Sequence, residues 1–328
     1  MDLEVEVVSR EIVQPSSPTP DRLRSYQFSF LDQVAHPIYN PLVMFYQKIC
    51  DTEANKIKIS NQLKHSISKA LTYFYPLAGR MTSDHLSINC NDEGILFLEA
   101  RVKCQLSDVI NNPIPSELNK LLPFSLYHDC EEFQMGIQFN IFECGGIAVG
   151  LCITHKIGDA LSLFTFVNLW AAIARGDKKL VVPQFGLASL FPPRDLSGFI
   201  NTIPKPKEKL VNKRQMRESI KELDKEYVKK IQDGYNYMQH VREIAAGKRE
   251  TVPFCFTSLC RFPIYEADFG WGKPIWVASA ARDMMNLVAF MDTADGKGIE
   301  AWVCLKEEDM AKFESDEEIV ASIASKSF

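Results

Sequence analysis

The chain has 328 residues, which suits two domains of common size, and its 46% hydrophobic and 24% charged residues are typical of a globular protein. The net charge of −5 argues against a nucleic-acid partner, which would favour a clustered basic surface. Residues 1–6 are acidic where a signal peptide needs a basic start, and the most apolar run, 160–174, is too short to span a bilayer. These features predict a cytoplasmic protein without a membrane partner.

The nine cysteines are odd in number and scattered along the chain. This pattern favours reduced, mostly buried thiols over a disulfide framework. Cys255 and Cys260 have four residues between them, which is not the spacing of a zinc site. No other group of ligand residues has workable spacing, so we expect neither a metal nor a resident cofactor.

The first third of the chain predicts strands around one long helix. A strand is expected over 5–13, and Ser60 is the candidate N-cap of a helix whose apolar residues recur at helical spacing. Proline and glycine end that helix within 75–80. Two further strands are predicted over 86–90 and 95–102, joined by a turn at 91–94.

The clearest pattern occupies the middle of the chain. Apolar and polar residues alternate over 134–141, as in a half-buried strand, and a glycine-containing turn at 143–146 leads into a second alternating run over 147–153. His155 follows this second strand directly, and Asp159 opens an almost wholly apolar helix that runs to Ala174. Backbone and core therefore both fix the position of His155.

A proline-rich, polar stretch over 185–209 is typical of a crossover between domains. A long charged amphipathic helix is then predicted over 216–231, with its charges on a solvated face. Strands follow over 254–257, 275–278, 287–291 and 299–305, and Asp295-Gly296 indicates a hairpin between the last two. Short acidic helices are expected from Glu307 onward.

The segment from His155 to Asp159 contains side chains that are suited to acid–base catalysis. An imidazole is the natural general base for an alcohol near neutral pH, and a carboxylate four residues away could orient the ring. The chain has no G-x-S-x-G nucleophile elbow, so a serine triad is not indicated. Gly158 fits a tight turn whose missing side chain leaves room beside the imidazole. The alternative interpretation is a core histidine without a catalytic role.

A second unusual segment, Asp268 to Gly272, has the sequence DFGWG. Its first three letters also occur in protein kinases, but the chain has neither the H-R-D catalytic loop nor the glycine-rich loop of a kinase. In isolation the segment could equally be a bend made of two glycines and a large aromatic residue.

The two segments together, in this order, resemble the BAHD acyltransferases. The sequences PSSPTP at 15–20, LDQ at 31–33 and YPLAGR at 75–80 are similar to this family as well. The most similar branch acetylates alkaloid and terpenoid alcohols of plants from acetyl-CoA. The resemblance implies an α/β fold of two chloramphenicol-acetyltransferase-like domains, with mixed sheets, flanking helices and a solvent channel between the domains.

The resemblance also implies roles for site residues. His155 would be the general base on the acceptor hydroxyl, with acyl-CoA as co-substrate and no covalent acyl-enzyme. Asp159 would be structural, pointing away from the channel and pairing with an arginine. Asp268, Gly270, Trp271 and Gly272 would form a loop that shapes the CoA end of the channel, and the enzyme would act as a monomer on a small-molecule alcohol.

Relative to the family, the chain is roughly a hundred residues short, about the size of a small domain. The gap falls near 211–216, so we expect an N-terminal acyltransferase domain over 1–190, a crossover over 191–215 and an incomplete C-terminal domain over 216–328. The arginine partner of Asp159 would lie in the missing block. Two functions follow as hypotheses: a working O-acyltransferase, or an inactive shortened variant that binds CoA or another protein.

Overall fold

The structure is a computed structural model that describes residues 2–47, 52–126, 132–196, 224–233, 254–281 and 285–323. The predicted crossover therefore lies largely outside the described residues. Of the predicted charged helix, only the C-terminal part is described. Nothing in the structure tests the predicted domain boundaries, which stay predictions.

Six strands form the central sheet, in the order β1-β6-β7-β8-β3-β10. Only β6 and β7 run parallel, and each of the other neighbouring pairs is antiparallel. The strands are β1 (Val5–Val13), β3 (Tyr39–Tyr46), β6 (Ile95–Val102), β7 (Met135–Phe142), β8 (Ile147–Thr154) and β10 (Trp276–Ala278). Because β10 pairs with β3, the last third of the chain contributes a strand to the sheet built by the first half.

Two smaller sheets accompany the central one. The first has the order β2-β5-β4 and the second the order β12-β11-β9, in which β9 runs parallel to β11. Their strands are β2 (Ser25–Gln27), β4 (Arg80–Met81), β5 (Ser87–Asn89), β9 (Cys255–Ser258), β11 (Leu287–Asp292) and β12 (Ile299–Cys304). The antiparallel pairing of β11 with β12 confirms the hairpin predicted at Asp295-Gly296.

The two longest described helices pack against one face of the central sheet and against each other. They are α2 (Glu53–Tyr73) and α5 (Ala160–Arg175). The other α-helices among the described residues are α1 (Phe30–Val34), α3 (Leu106–Asn111), α4 (Pro115–Leu118), α6 (Leu187–Leu190), α7 (Lys225–Gln232), α8 (Glu307–Ser315) and α9 (Glu317–Ser322). The last two confirm the acidic C-terminal helices.

The predicted start of α2 is wrong. The helix begins seven residues before Ser60, and the Thr52 side chain caps it by accepting the Asn55 N–H at 3.2 Å. Ser60 instead lies buried inside the helix and donates to Glu99 at 2.6 Å. A serine is compatible with both settings, because its hydroxyl can satisfy a helix end or a neighbouring carboxylate.

The strand β7 is also more deeply buried than its alternating pattern predicts. Gln138 and Asn140, on the polar face, are 2% and 0% exposed. Their amide groups donate to the backbone carbonyls of Lys120 and Leu121, both at 2.9 Å. The polar face is thus covered by the preceding loop, and its buried groups are satisfied by that loop's backbone.

Candidate active site

The sheet holds His155 at the end of its most deeply buried strand. Every residue of β8 is buried, and the strand pairs with β7 on one side and β3 on the other. The His155 N–H continues the pairing by donating to the carbonyl of Ile38 at 2.8 Å. The backbone of the histidine is therefore fixed by the core, as the sequence predicted, while its side chain is only half-buried.

The imidazole of His155 is not engaged by its surroundings. Among the residues that the structure describes, none forms a hydrogen bond or an ion pair with the ring. The half-buried ring is also partly open to solvent. A rigid backbone with an unengaged imidazole suits a group that accepts a proton from a bound hydroxyl.

Asp159 caps α5 and does not orient the imidazole. Its Oδ1 accepts hydrogen bonds from the Ser162 N–H and the Ser162 hydroxyl, both at 2.8 Å. Within the described part of the chain, no basic side chain pairs with this carboxylate. Burial raises the pKa of Asp32, and the charge of Asp159 raises it further, so a second acid lies near Asp159.

Replacing Asp159 with alanine should lower the free energy of unfolding by about 1 kcal/mol, because the helix loses its N-cap. Asparagine keeps a cap oxygen and should retain most of that stability. Urea unfolding of the two variants checks this. Equal losses in both would mean that the negative charge, and not the cap geometry, is what stabilises the loop.

The loop from His155 to Asp159 rests on the segment around α1. Lys156 Nζ donates to the carbonyl of Gln33 at 2.7 Å. Ser29 and Asp32 form a reciprocal capping box that fixes the start of α1. The LDQ sequence therefore has a structural role, because its Gln33 carbonyl accepts the hydrogen bond from Lys156 that holds the loop.

Gly158 allows the loop to pack closely against the core. A β-carbon at this position would lie 2.9 Å from Ile153 Cδ1 and 3.3 Å from Ser162 Cβ. The missing side chain therefore lets the loop approach both the strand and the helix. That it also leaves room beside the imidazole stays a prediction.

Asp268 organises the DFGWG loop through its own backbone. Its Oδ1 accepts the N–H groups of Gly270 at 2.8 Å and Gly272 at 2.9 Å. Both glycines have positive φ values, +103° and +106°, which other residues rarely adopt. Burial alone would raise the pKa of Asp268, but the two N–H donors and the nearby Arg175 hold it below its ordinary value of 3.8.

The depressed pKa of Asp268 predicts a pH-dependent contribution to stability. The ionised carboxylate stabilises the fold above pH 3.8, and this contribution is lost as the pH falls through the folded-state pKa. Asp268→Asn should therefore be less stable than the parent near neutral pH, with the difference shrinking below 3.8. Urea unfolding across this range checks it, and a difference independent of pH would contradict it.

The DFGWG loop is anchored by three side chains from earlier parts of the chain. Arg175 Nη1 donates to the Asp268 carbonyl, and Gln62 Nε2 donates to the Phe269 carbonyl at 3.1 Å. The Tyr46 hydroxyl donates to the carbonyl of Ala267 at 2.8 Å. These anchors belong to α5, α2 and β3, and no sequence motif pointed to them.

The structure separates the two motifs. His155 lies at the N-terminal end of α5, whereas the DFGWG loop is bound by Arg175 at its C-terminal end. Sixteen helical residues span about 24 Å. The loop is therefore part of the scaffold that holds β10 and α5, and it does not contact the histidine.

In the part of the chain that the structure describes, no group of three or more His, Cys, Asp or Glu side chains could hold a metal ion. In the same part of the chain, no helix has the length and apolar character needed to cross a membrane.

Comparison with known proteins agrees with this architecture. Vinorine synthase superposes with a TM-score of 0.73 at 28% identity, covering 97% of this chain and 98% of that structure. The TRI101 protein of F. sporotrichioides, solved with coenzyme A and T-2, superposes with a TM-score of 0.63 at 15% identity, over 90% of this chain and 98% of that one. The second likeness shows the fold alone, the mixed α/β fold that the sequence predicted.

Sequence comparison gives the family. Stemmadenine O-acetyltransferase of Catharanthus roseus is 33% identical over 414 aligned positions, covering 95% of this chain and 97% of its own length. Limonoid 21-O-acetyltransferase of Melia azedarach is 31% identical, covering 97% and 98% respectively. A family model described as the transferase family matches residues 3–212 and 207–320. The chain belongs to this transferase family, the BAHD acyltransferases, and is an acyltransferase that transfers groups other than aminoacyl groups.

Proposed function

We propose that the chain moves an acyl group, specifically acetyl, from an acyl-CoA to a hydroxyl of a plant specialised metabolite such as an alkaloid or a terpenoid. The observation that carries the proposal is the unengaged imidazole of His155 on a rigid strand end. The acetyl donor and the acceptor class are supported by the names of relatives from Catharanthus roseus and Melia azedarach, which are O-acetyltransferases of stemmadenine and of limonoids.

His155 is the general base of the proposed reaction. Its imidazole removes the proton of the acceptor hydroxyl as the oxygen attacks the thioester carbonyl. The tetrahedral intermediate then expels the CoA thiolate, which takes the proton back from the imidazolium. The acyl group passes directly from donor to acceptor, so no acyl-enzyme forms.

The other predicted site residues act by holding the fold at the two ends of α5. Asp159 and Gly158 fix the loop after β8, through the cap on α5 and the close packing against Ile153. The four residues of the second motif hold the loop at the far end of α5: Asp268, Gly270, Trp271 and Gly272. We propose a monomeric enzyme with acyl-CoA as co-substrate, and the free thiols of the described cysteines support a cytoplasmic location.

We further propose that the chain lacks an internal block of its second domain. The alignment with stemmadenine O-acetyltransferase extends over 414 positions, more than the 328 residues of the chain. The family model matches in two parts that meet at 207–212. The absence of a described basic partner for Asp159 agrees with a missing block that carried it.

A thermal melt with and without acetyl-CoA tests whether the shortened chain folds and binds acetyl-CoA. A folded protein at about a hundred times the dissociation constant of its ligand gains roughly 2.7 kcal/mol. We expect a cooperative transition that moves upward with acetyl-CoA, while free acetate at the same concentration leaves it unchanged. A broad, unshifted transition would contradict the proposal, because no CoA site would then exist.

An exposed apolar surface favours the second candidate, an inactive chain that acts by binding another protein. One face of the β12-β11-β9 sheet presents Phe254, Phe256 and Ile299, which are 41%, 44% and 65% exposed. The Phe256 ring stacks on Phe254 and on Phe290 of β11. Large exposed aromatic patches on a sheet edge mark interaction surfaces.

Co-purification with a full-length relative distinguishes this candidate from the enzyme. A stable complex, lost on Phe256→Ser and accompanied by no acetyl transfer, would support the binding function. A monodisperse monomer that releases CoA in the presence of an acceptor would overturn it.

A further inference from the structure

Two cysteines lie next to each other at the end of the central sheet opposite to His155. The strands β6 and β7 run parallel, with Val102 opposite Phe142. Both chains turn just beyond this pair, and the Glu143 N–H donates to the Cys104 carbonyl at 3.2 Å. Cys104 and Cys144 therefore lie on two segments that are held together by a backbone hydrogen bond, and a disulfide requires roughly 4.4–6.8 Å between the two Cα atoms.

The side chains of both residues point to the same region. Each packs at the edge of the apolar cluster that contains Val102 and Phe142, and each is partly exposed to solvent. The sulfur of Cys144 accepts the N–H of Leu106, two residues after Cys104, at 3.4 Å. The two thiols are therefore close in space, although forty residues separate them in the chain.

The surroundings of the two sulfurs differ. The Cys144 sulfur accepts a second N–H, that of Gly146, also at 3.4 Å. Burial, followed by the charges of Asp108, Glu143 and Cys144, raises the pKa of Cys104 to about 11. Cys104 therefore remains a thiol until it reacts, and we assign the first attack on peroxide to Cys144.

We propose that Cys104 and Cys144 form a reversible disulfide, a peroxide-sensitive modification site that fastens the β7–β8 turn to the segment after β6. The Cys144 thiolate attacks one oxygen of hydrogen peroxide and displaces hydroxide, which gives a sulfenic acid. The Cys104 sulfur then attacks that sulfur as its own proton joins the departing hydroxide to form water. Two thiols are oxidised to one disulfide, and one peroxide is reduced to two waters.

The bond would close a loop that contains α3 and α4. Such a closure restricts the unfolded chain and raises the stability of the folded one. Because the eight residues of β8 separate the turn from His155, by roughly 26 Å, the modification would act on the scaffold and leave the imidazole untouched. In a reducing compartment, a disulfide of this kind is transient and senses redox state.

The test treats the full chain with a small excess of hydrogen peroxide, quenches it with an alkylating agent and maps its peptides without reduction. We expect a peptide pair joined through Cys104 and Cys144, two hydrogens lighter than the sum of the parts, which disappears on reduction. The melting temperature should rise by a few degrees in parallel and fall back with reductant. Peroxide-treated chains in which both cysteines are alkylated separately would overturn the proposal.

Two variants keep the test independent of folding defects. Cys144→Ser should abolish both the linked peptide and the peroxide-dependent rise in melting temperature, whereas Cys104→Ser should leave a sulfenic acid trapped at Cys144. The matched control is Cys255→Ser, an exposed cysteine in another sheet, which should preserve the Cys104–Cys144 link. A link from Cys144 to a different cysteine, or a rise in melting temperature that survives Cys144→Ser, would contradict the assignment.

Discussion

Replacing His155 with alanine is expected to lower the turnover number for acetyl transfer by a factor on the order of a hundred or more. The reason is that the imidazole is the proposed acceptor of the hydroxyl proton. The ring bonds to no described residue, so its removal should leave the melting temperature and the binding of acetyl-CoA nearly unchanged. Steady-state rates and acetyl-CoA melts on the same preparations measure both effects.

The matched control for this prediction is His65→Ala. His65 is exposed on α2 and is not part of the loop after β8. Its replacement should therefore leave the turnover number unchanged. A His155→Ala variant that retains the turnover number of the parent would contradict the proposed role of His155 as general base. A variant that loses turnover together with its cooperative melt would instead make His155 a residue of the fold.

Replacing Phe269 with alanine is expected to lower the free energy of unfolding by about 3–5 kcal/mol. Its ring is fully buried, with its centroid 4.6 Å from that of Trp170 and 5.4 Å from that of Trp271. Truncation would leave a cavity between α5 and the DFGWG loop, where the surrounding rings are held in place. Urea unfolding measures the loss directly.

Phe256→Ala provides the comparison for Phe269→Ala. Phe256 is 44% exposed on the edge strand β9, so its truncation should cost below about 1 kcal/mol. If the two substitutions destabilise the chain equally, the loop is not the anchor that joins the last third of the chain to the first half. A large loss in Phe269→Ala with an intact Phe256→Ala would establish that role.

The sequence pattern predicted the part of the fold that holds the histidine, because the signals for this part are local. In the two strands before His155, apolar residues alternate with polar ones or form a continuous run, and a glycine-containing turn joins the strands. Asp159 is a strong N-cap for the helix that follows. Each of these signals is local, so neighbouring residues suffice to read it. The helix and the strand ends could therefore be placed to within a residue or two.

The strand β3 was not predicted, although it is an interior strand of the sheet. All but one of its residues are buried, so it shows no alternation, and Pro41 within it is typical of an edge strand. In the sheet, β3 is flanked by β8 and by the late strand β10. Only tertiary neighbours from distant parts of the chain make this segment an interior strand.

The anchors of the DFGWG loop could not be predicted for the same reason. The bond from Tyr46 to the Ala267 carbonyl joins residues more than two hundred positions apart, and that from Gln62 to Phe269 does the same. Nothing in the spacing of either residue marks it. The family resemblance gave the motif its importance, while the structure gave its place at the far end of α5.

The transfer of an isotopically labelled acetyl group from acetyl-CoA tests the central claim most directly. The acceptors would be alkaloid and limonoid alcohols of the kinds named for the relatives, with parent and His155→Ala chains assayed side by side. We expect label in an ester of the acceptor, one CoA thiol released per ester, and no label on the denatured protein. Label covalently bound to the chain, or acetyl-CoA binding without transfer to any acceptor, would contradict it.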